Sequence, residues 1–98
     1  MDEAKTRSHV EAHGDAVVRG DTAAVVADFS DQSNPQIPQI GRALPRPVTA
    51  AEVLSVEFGD DQAIADVKYS GESKVVTVRS RWQDVSGRPM IVDAELVD

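Results

Sequence analysis

From Thr6 to Arg19 the apolar and small residues return at helical spacing, with Val10, Val17 and Val18 on or beside one stripe and Glu11, Asp15 and Arg19 away from it. The pattern predicts an amphipathic helix. Gly20 suits the left-handed conformation that ends a helix, and Asp21 is placed to cap a second one through its side-chain oxygen. That second helix is expected from Thr22 to Asp28 or Phe29, anchored by Val25, Val26 and Phe29. After Pro47 the period changes to two, and four strands are predicted near Thr49–Phe58, Ala63–Ser70, Lys74–Gln83 and Pro89–Val97. The breaks between them, GDDQ, SGES and DVSGR, carry turn residues and are short enough for successive antiparallel hairpins.

Between the helices and the strands, Ser30 to Pro47 is rich in Ser, Asn, Gln and Gly and holds four prolines, in NPQIP and LPRP. It reads as a Pro-rich connecting loop, either a flap or a segment ordered by Ile37, Ile40 and Leu44. The whole chain, residues 1–98, is then one α+β domain: two N-terminal helices laid against one face of a four-stranded antiparallel meander.

Composition narrows what such a domain does. Only 4% of the residues are aromatic against 41% hydrophobic overall, so the core must be built from Val, Ala, Ile and Leu. A core of that kind in 98 residues is small, and association with a second copy through the sheet is expected to add buried area. The net charge of −7 disfavours nucleic acid and acidic membranes, which are met by clustered Lys and Arg. The chain has no cysteine, hence no disulfide, thiolate metal site or thiol nucleophile. Neither the apolar core of a signal peptide nor a run near the roughly 20 apolar residues of a membrane helix is present, and a cytoplasmic location is the expectation.

HVEAH, from His9 to His13, raises the question of a metal. Two histidines four apart share a helix face, but Glu11 lies about 200° round from His9 at about 100° per residue. Two ligands fall short of the three that catalytic zinc sites use, so neither a metal nor any other cofactor is expected. His13 falls within the stripe that meets the sheet. Two roles stay open for it: a core histidine satisfied by a backbone carbonyl, or an acid, base or hydrogen-bond donor in a pocket.

Strand parity decides what would share that pocket. One phase carries Leu54, Val56 and Phe58, then Ala63, Ala65, Val67 and Tyr69, then Val76, Val78, Ser80 and Trp82, then Met90, Val92, Ala94 and Leu96. If it faces the helices, the pocket is lined by His13, Phe29, Tyr69, Ser80 and Trp82 and holds no inward carboxylate. The other phase carries Asp66, Lys68, Thr77, Arg79, Arg81, Asp93 and Glu95 and reads as a solvated face, interrupted by Ile64, Val75, Ile91 and Val97 where a second copy would pack.

The order of these elements, with RGD at Arg19–Asp21, ADF at Ala27–Phe29 and the late hairpin RWQDVSGRPMIVDAEL, resembles the nuclear transport factor 2-like superfamily, which includes SnoaL-like polyketide cyclases and ketosteroid isomerases. The resemblance implies a curved, cone-like sheet around the first helix, a ligand pocket inside it, and dimerisation through the outer face. It also implies a third helix and a general-base carboxylate in the region where this chain has its Pro-rich stretch, yet no Asp or Glu occurs from Asn34 to Pro47. The position of the family's helix-borne oxyanion donor falls near Ala12 or His13. With the opposite strand phase inward, Asp66, Arg79, Arg81 and Asp93 would resemble the Asp-Arg-Asp site of limonene epoxide hydrolases. The sequence thus points to a small pocket protein that binds a largely apolar ligand or acts as a dimeric interaction module. The alternative is a metal-free cyclase, isomerase or epoxide hydrolase-type enzyme.

Overall fold

In the computed structural model, which describes residues 1–97, helices α1 (Glu3–Arg19), α2 (Thr22–Ala27) and α3 (Ile37–Ala43) precede strands β1 (Ala50–Gly59), β2 (Gln62–Ser70), β3 (Val75–Val85) and β4 (Arg88–Val97). The strands form one antiparallel sheet in chain order, an α+β architecture. No helix among the described residues is long and apolar enough to cross a membrane.

Helix α1 starts one turn before the apolar stripe does, because Asp2 caps it by accepting from the Lys5 N–H at 3.0 Å. It ends at Gly20, whose φ of 71° is the left-handed cap, with the Gly20 and Asp21 N–H groups taking the carbonyls of Val17 and Ala16. Thr6, Val10, His13 and Ala16 form its buried face. Gly14 permits the close crossing over β1: a Cβ there would lie 3.2 Å from that of Ala51.

The Pro-rich stretch is not a plain loop. It contains a 3-10 turn at Asn34–Gln36 followed by α3. The prolines that read as breakers, Pro35 and Pro38, occupy first-turn positions, where a missing N–H leaves nothing unsatisfied. Ile37, Ile40 and Leu44 then pack on the core.

Strands β2 and β3 keep the expected phase, burying Ala63, Ala65, Val67, Tyr69, Val78, Ser80 and Trp82. Two bulges change it elsewhere. In β1 the pairing with β2 slips between Val53 and Ser55, so Leu54 is left out of the core at 50% exposure and Ala51 and Val53 turn inward before it. In β4 the partner of Arg81 is Asp93 while that of Trp82 is Ile91, which makes Val92 the extra residue. Ile91, expected on the outer face, therefore stands beside Trp82 in the core at 1% exposure, and Met90 pairs with Gln83 away from it. Leu96, opposite Val78 near the strand's end, is exposed.

The β4 edge is covered from the helical side. Ser30 donates its N–H to the Ile91 carbonyl (2.9 Å), the Ile91 N–H donates to the Asp28 carbonyl (2.7 Å), and the Ser33 hydroxyl adds a bond to the Ile91 carbonyl (2.6 Å). Gln36 accepts from the Ala94 N–H and donates to the Asp93 carboxylate. An edge occupied in this way is closed to further strand pairing, and the same contacts fix where the chain leaves α2.

Candidate functional site

His13 is buried under the sheet, as its place in the α1 stripe predicts. Its partner is a side chain rather than a backbone carbonyl: Nδ1 lies 2.7 Å from Oδ2 of Asp28. Asp28 follows the last turn of α2, where the backbone turns to pair with β4, and this carries its carboxylate inward. The other carboxylate oxygen, Oδ1, accepts from Arg88 Nη2 at 2.6 Å, while Arg88 Nη1 donates to the carbonyl of Ala27 at 2.9 Å. Arg88 reaches this point from the start of β4, directly after the tight turn in which Ser86 and Gly87 both have positive φ.

Burial alone would raise the pKa of Asp28, but the hydrogen bonds of His13 and Arg88, together with the charge of the Arg88 guanidinium, outweigh it and hold the carboxyl below its ordinary range. The ionised carboxylate only accepts, so Nδ1 of His13 carries the hydrogen between them. Nε2 is thereby the ring atom left for other chemistry. The imidazole is held edge-on by Phe29 and Trp82, with both ring centroids 5.9 Å away.

Beside this pair lies a small cavity of about 60 Å³, roofed by α3 and bounded by the sheet. His13, Phe29 and Tyr69 line it together with Val25, Ile37, Ile40 and Leu44. Burial, reinforced by the nearby charge of Asp28, pushes the Tyr69 hydroxyl far above its usual pKa and keeps it a neutral donor. Ser80 and Trp82 face the same way but do not line the cavity. The indole N–H donates to the Ser80 hydroxyl at 2.8 Å, and both sit behind His13 in the core.

The second set of candidates lies on the opposite face. Arg79 grips Asp66 with two hydrogen bonds of 2.9 and 3.0 Å, which raise its already high pKa further, and Lys68 approaches Glu52 at 3.3 Å. Arg81 faces Asp93 in the register, but the Asp93 carboxylate is held by Gln36 at the sheet edge. Asp66, Arg79, Arg81 and Asp93 thus do not converge inside the domain, and the arrangement resembling an epoxide hydrolase site is not formed. Among the described residues no three His, Asp or Glu side chains come together in a way that would hold a metal ion.

Sequence reasoning missed Asp28 and Arg88. The inward carboxylate comes from a helix end instead of a strand, which parity of the strands does not address. Both residues belong to short motifs visible in the chain, ADF and SGRP, but nothing local shows that residues 60 apart meet.

No protein-family profile matches the chain, and no curated protein matches it significantly. Among solved structures the chain is similar to the crystal structure of an NTF-2-like protein of unknown function from Burkholderia xenovorans LB400, with a TM-score of 0.68 and 17% sequence identity. The alignment covers 98% of this chain and 85% of the other. At that identity the likeness establishes the fold, and the fold is NTF-2-like.

Proposed function

We propose that the protein binds a small, largely apolar molecule in the cavity under α3 and orients it through one polar end formed by His13 and Tyr69. The observation that supports this is the lining: aliphatic and aromatic side chains surround an imidazole whose hydrogen bond to Asp28 leaves Nε2 as the available acceptor. Tyr69 supplies a neutral donor beside it. A carbonyl or hydroxyl on a compact hydrocarbon ring suits this polar end of the cavity. Titration with cyclohexanone, followed through the ring resonances of Phe29, which lines the cavity and is unchanged in both variants, is expected to show saturable shifts that His13→Ala or Tyr69→Phe weakens while the fold persists. No saturable shift up to millimolar ligand would remove this reading.

The 2.7 Å bond from His13 to Asp28 favours a second reading, acid–base catalysis on the bound molecule. A carboxylate that fixes the tautomer and stabilises the imidazolium makes Nε2 a competent general base. Exchange of the α-hydrogens of cyclohexanone with deuterium, accelerated by the wild type but not by His13→Ala, would place the protein among enzymes of the isomerase or cyclase type. Unaccelerated exchange with intact binding leaves the binding function.

We also propose that the outer face of the sheet pairs with a second copy. Val75, exposed at 59%, lies there with Ile64 and Val97, although Ile91 is not available to it. Sedimentation at micromolar concentration should show a dimer, and a monomer there would exclude this assembly.

A further inference from the structure

The cavity does not end at its own walls. Val17, Gly41 and Leu44 line it and also line a wider surface groove of about 820 Å³, which runs between the last turn of α1 and the Pro45–Val48 segment. The two spaces therefore adjoin along α3. Gly41 stands in the interior of that helix, where glycine is a poor helix former, and its φ is not positive, so no backbone need calls for it. What distinguishes the position is the missing side chain: a Cβ built at Gly41 meets nothing within 4 Å.

The rim of this groove is cationic. Arg19 and Arg46 lie on it, and no Asp or Glu is among the residues that form it, in a chain whose net charge is −7. Arg19 is held only by Asp21, at 3.7 Å and with both side chains exposed, and Arg46 makes no hydrogen bond or ion pair among the described residues. The carbonyls of Ala16 and Val17 at the end of α1 are occupied by the N–H groups of Asp21 and Gly20. The charge without a partner at the mouth is that of Arg46, and the Arg19 guanidinium, whose contact with Asp21 is long and open to water, lies beside it; guanidinium groups suit a carboxylate or another planar anion.

We propose that ligands reach the cavity through this groove, past Gly41, and that Arg19 and Arg46 select an apolar molecule carrying one anionic group, of the class of small aryl or branched alkyl carboxylates; this rests on the cavity being a ligand site. The apolar body lies toward Phe29 and Tyr69 and the anion stays at the rim, where water still reaches it. Exposed guanidinium groups in such a place confer preference more than raw affinity.

Calorimetric titration with 4-phenylbutanoate and with its uncharged counterpart 4-phenylbutanol tests this. In low salt the carboxylate is expected to bind about tenfold more tightly, a preference that added salt reduces. The Arg19→Ala/Arg46→Ala double variant should bind both alike. Gly41→Leu, which puts a side chain into the passage, should abolish binding of both without lowering the melting temperature. Equal binding of the two probes by the wild type, or a preference that survives in the double arginine variant, overturns the selection by charge while the cavity reading stands. Unchanged binding by a folded Gly41→Leu protein overturns the route. Should that variant fail to fold, Gly41→Ala, slower in association by stopped flow if the route is right and unchanged if it is wrong, decides the same point. Failure of the wild type to bind either compound overturns the inference, and the cavity reading beneath it falls only if cyclohexanone also fails to bind.

Discussion

The two faces of the sheet each carry an acid and a base in direct contact, and the two pairs differ in nearly everything except distance. Inside, His13 meets Asp28 at 2.7 Å, with side-chain exposures of 10% and 9%. Outside, Arg79 meets Asp66 at 2.9 Å, with exposures of 44% and 18%. The outer pair has the better geometry, two parallel hydrogen bonds, yet water competes for both partners and such pairs add little stability. The inner pair makes one bond, but each partner has given up most of its hydration to make it. Removing one member there leaves the other buried with less than its complement of hydrogen bonds. Geometry alone does not rank two acid–base pairs; solvent access does.

The largest effect should come from breaking the inner pair. Asp28→Ala removes the acceptor of both His13 and Arg88, and a loss of about 2 to 4 kcal/mol is expected, since Arg88 can turn to solvent and only His13 stays buried. Arg79→Ala on the other face should leave the urea midpoint near that of the wild type. Urea unfolding followed through Trp82 measures both, and similar midpoints for the two variants would mean that the faces are not as different in solvation as their burial indicates.

How much of this was legible in the sequence also divides by face and element. The alternation in β2 and β3 is regular, so the solvated pair Asp66 and Arg79, opposite one another in the register, was readable from parity. His13 was readable from the α1 stripe. Bulges are invisible to parity, because one added residue reverses the faces beyond it. Ile91 is the test: strict alternation puts it outside, whereas the bulge at Val92 puts it beside Trp82. Ile91→Ala is expected to cost about 2 to 4 kcal/mol in urea unfolding, the range for emptying a core position, and a loss near zero would restore the simple alternation. Helix α3 was missed for a different reason. Its prolines lie in first-turn positions, which composition does not separate from loop prolines, and the meeting of Asp28 with Arg88 depends on that whole segment covering the β4 edge.

Acid gives a smaller and more selective probe of the inner pair. His13 and Arg88 hold the Asp28 carboxyl below its ordinary value of 3.8 against the opposing effect of burial, so the native state keeps it ionised where the unfolded chain takes up a proton. With the native pKa depressed, the stabilisation from this group is complete above the unfolded value. It is lost as pH falls from there through the native value. Asp28→Asn lacks this component. Its stability should therefore fall less steeply below about pH 4 than that of the wild type, although it starts lower. Parallel curves for the two proteins in denaturant titrations over that range would show that Asp28 is not the group being titrated.

The smallest expected effect belongs to Leu54, and its smallness is the point. Regular alternation from Phe58 back through Val56 would place Leu54 in the core, where replacing it by serine should be severely destabilising. The slip between Val53 and Ser55 instead leaves the side chain half in water and gives its inward place to Val53, which pairs with Val67. Leu54→Ser should then change stability by no more than about 0.5 kcal/mol when measured at protein concentrations low enough to keep the chain monomeric. Val53→Ser, one residue away, removes a side chain packed against the core and should cost more. The measurement also bears on assembly. An apolar residue that adds nothing to the monomer but whose loss raises the concentration needed for association would show that the bulge presents Leu54 to a second copy. If Leu54→Ser costs as much as Val53→Ser in the monomer, the bulge is absent in solution, β1 keeps its regular phase, and the inner face of the sheet must be redrawn along that edge.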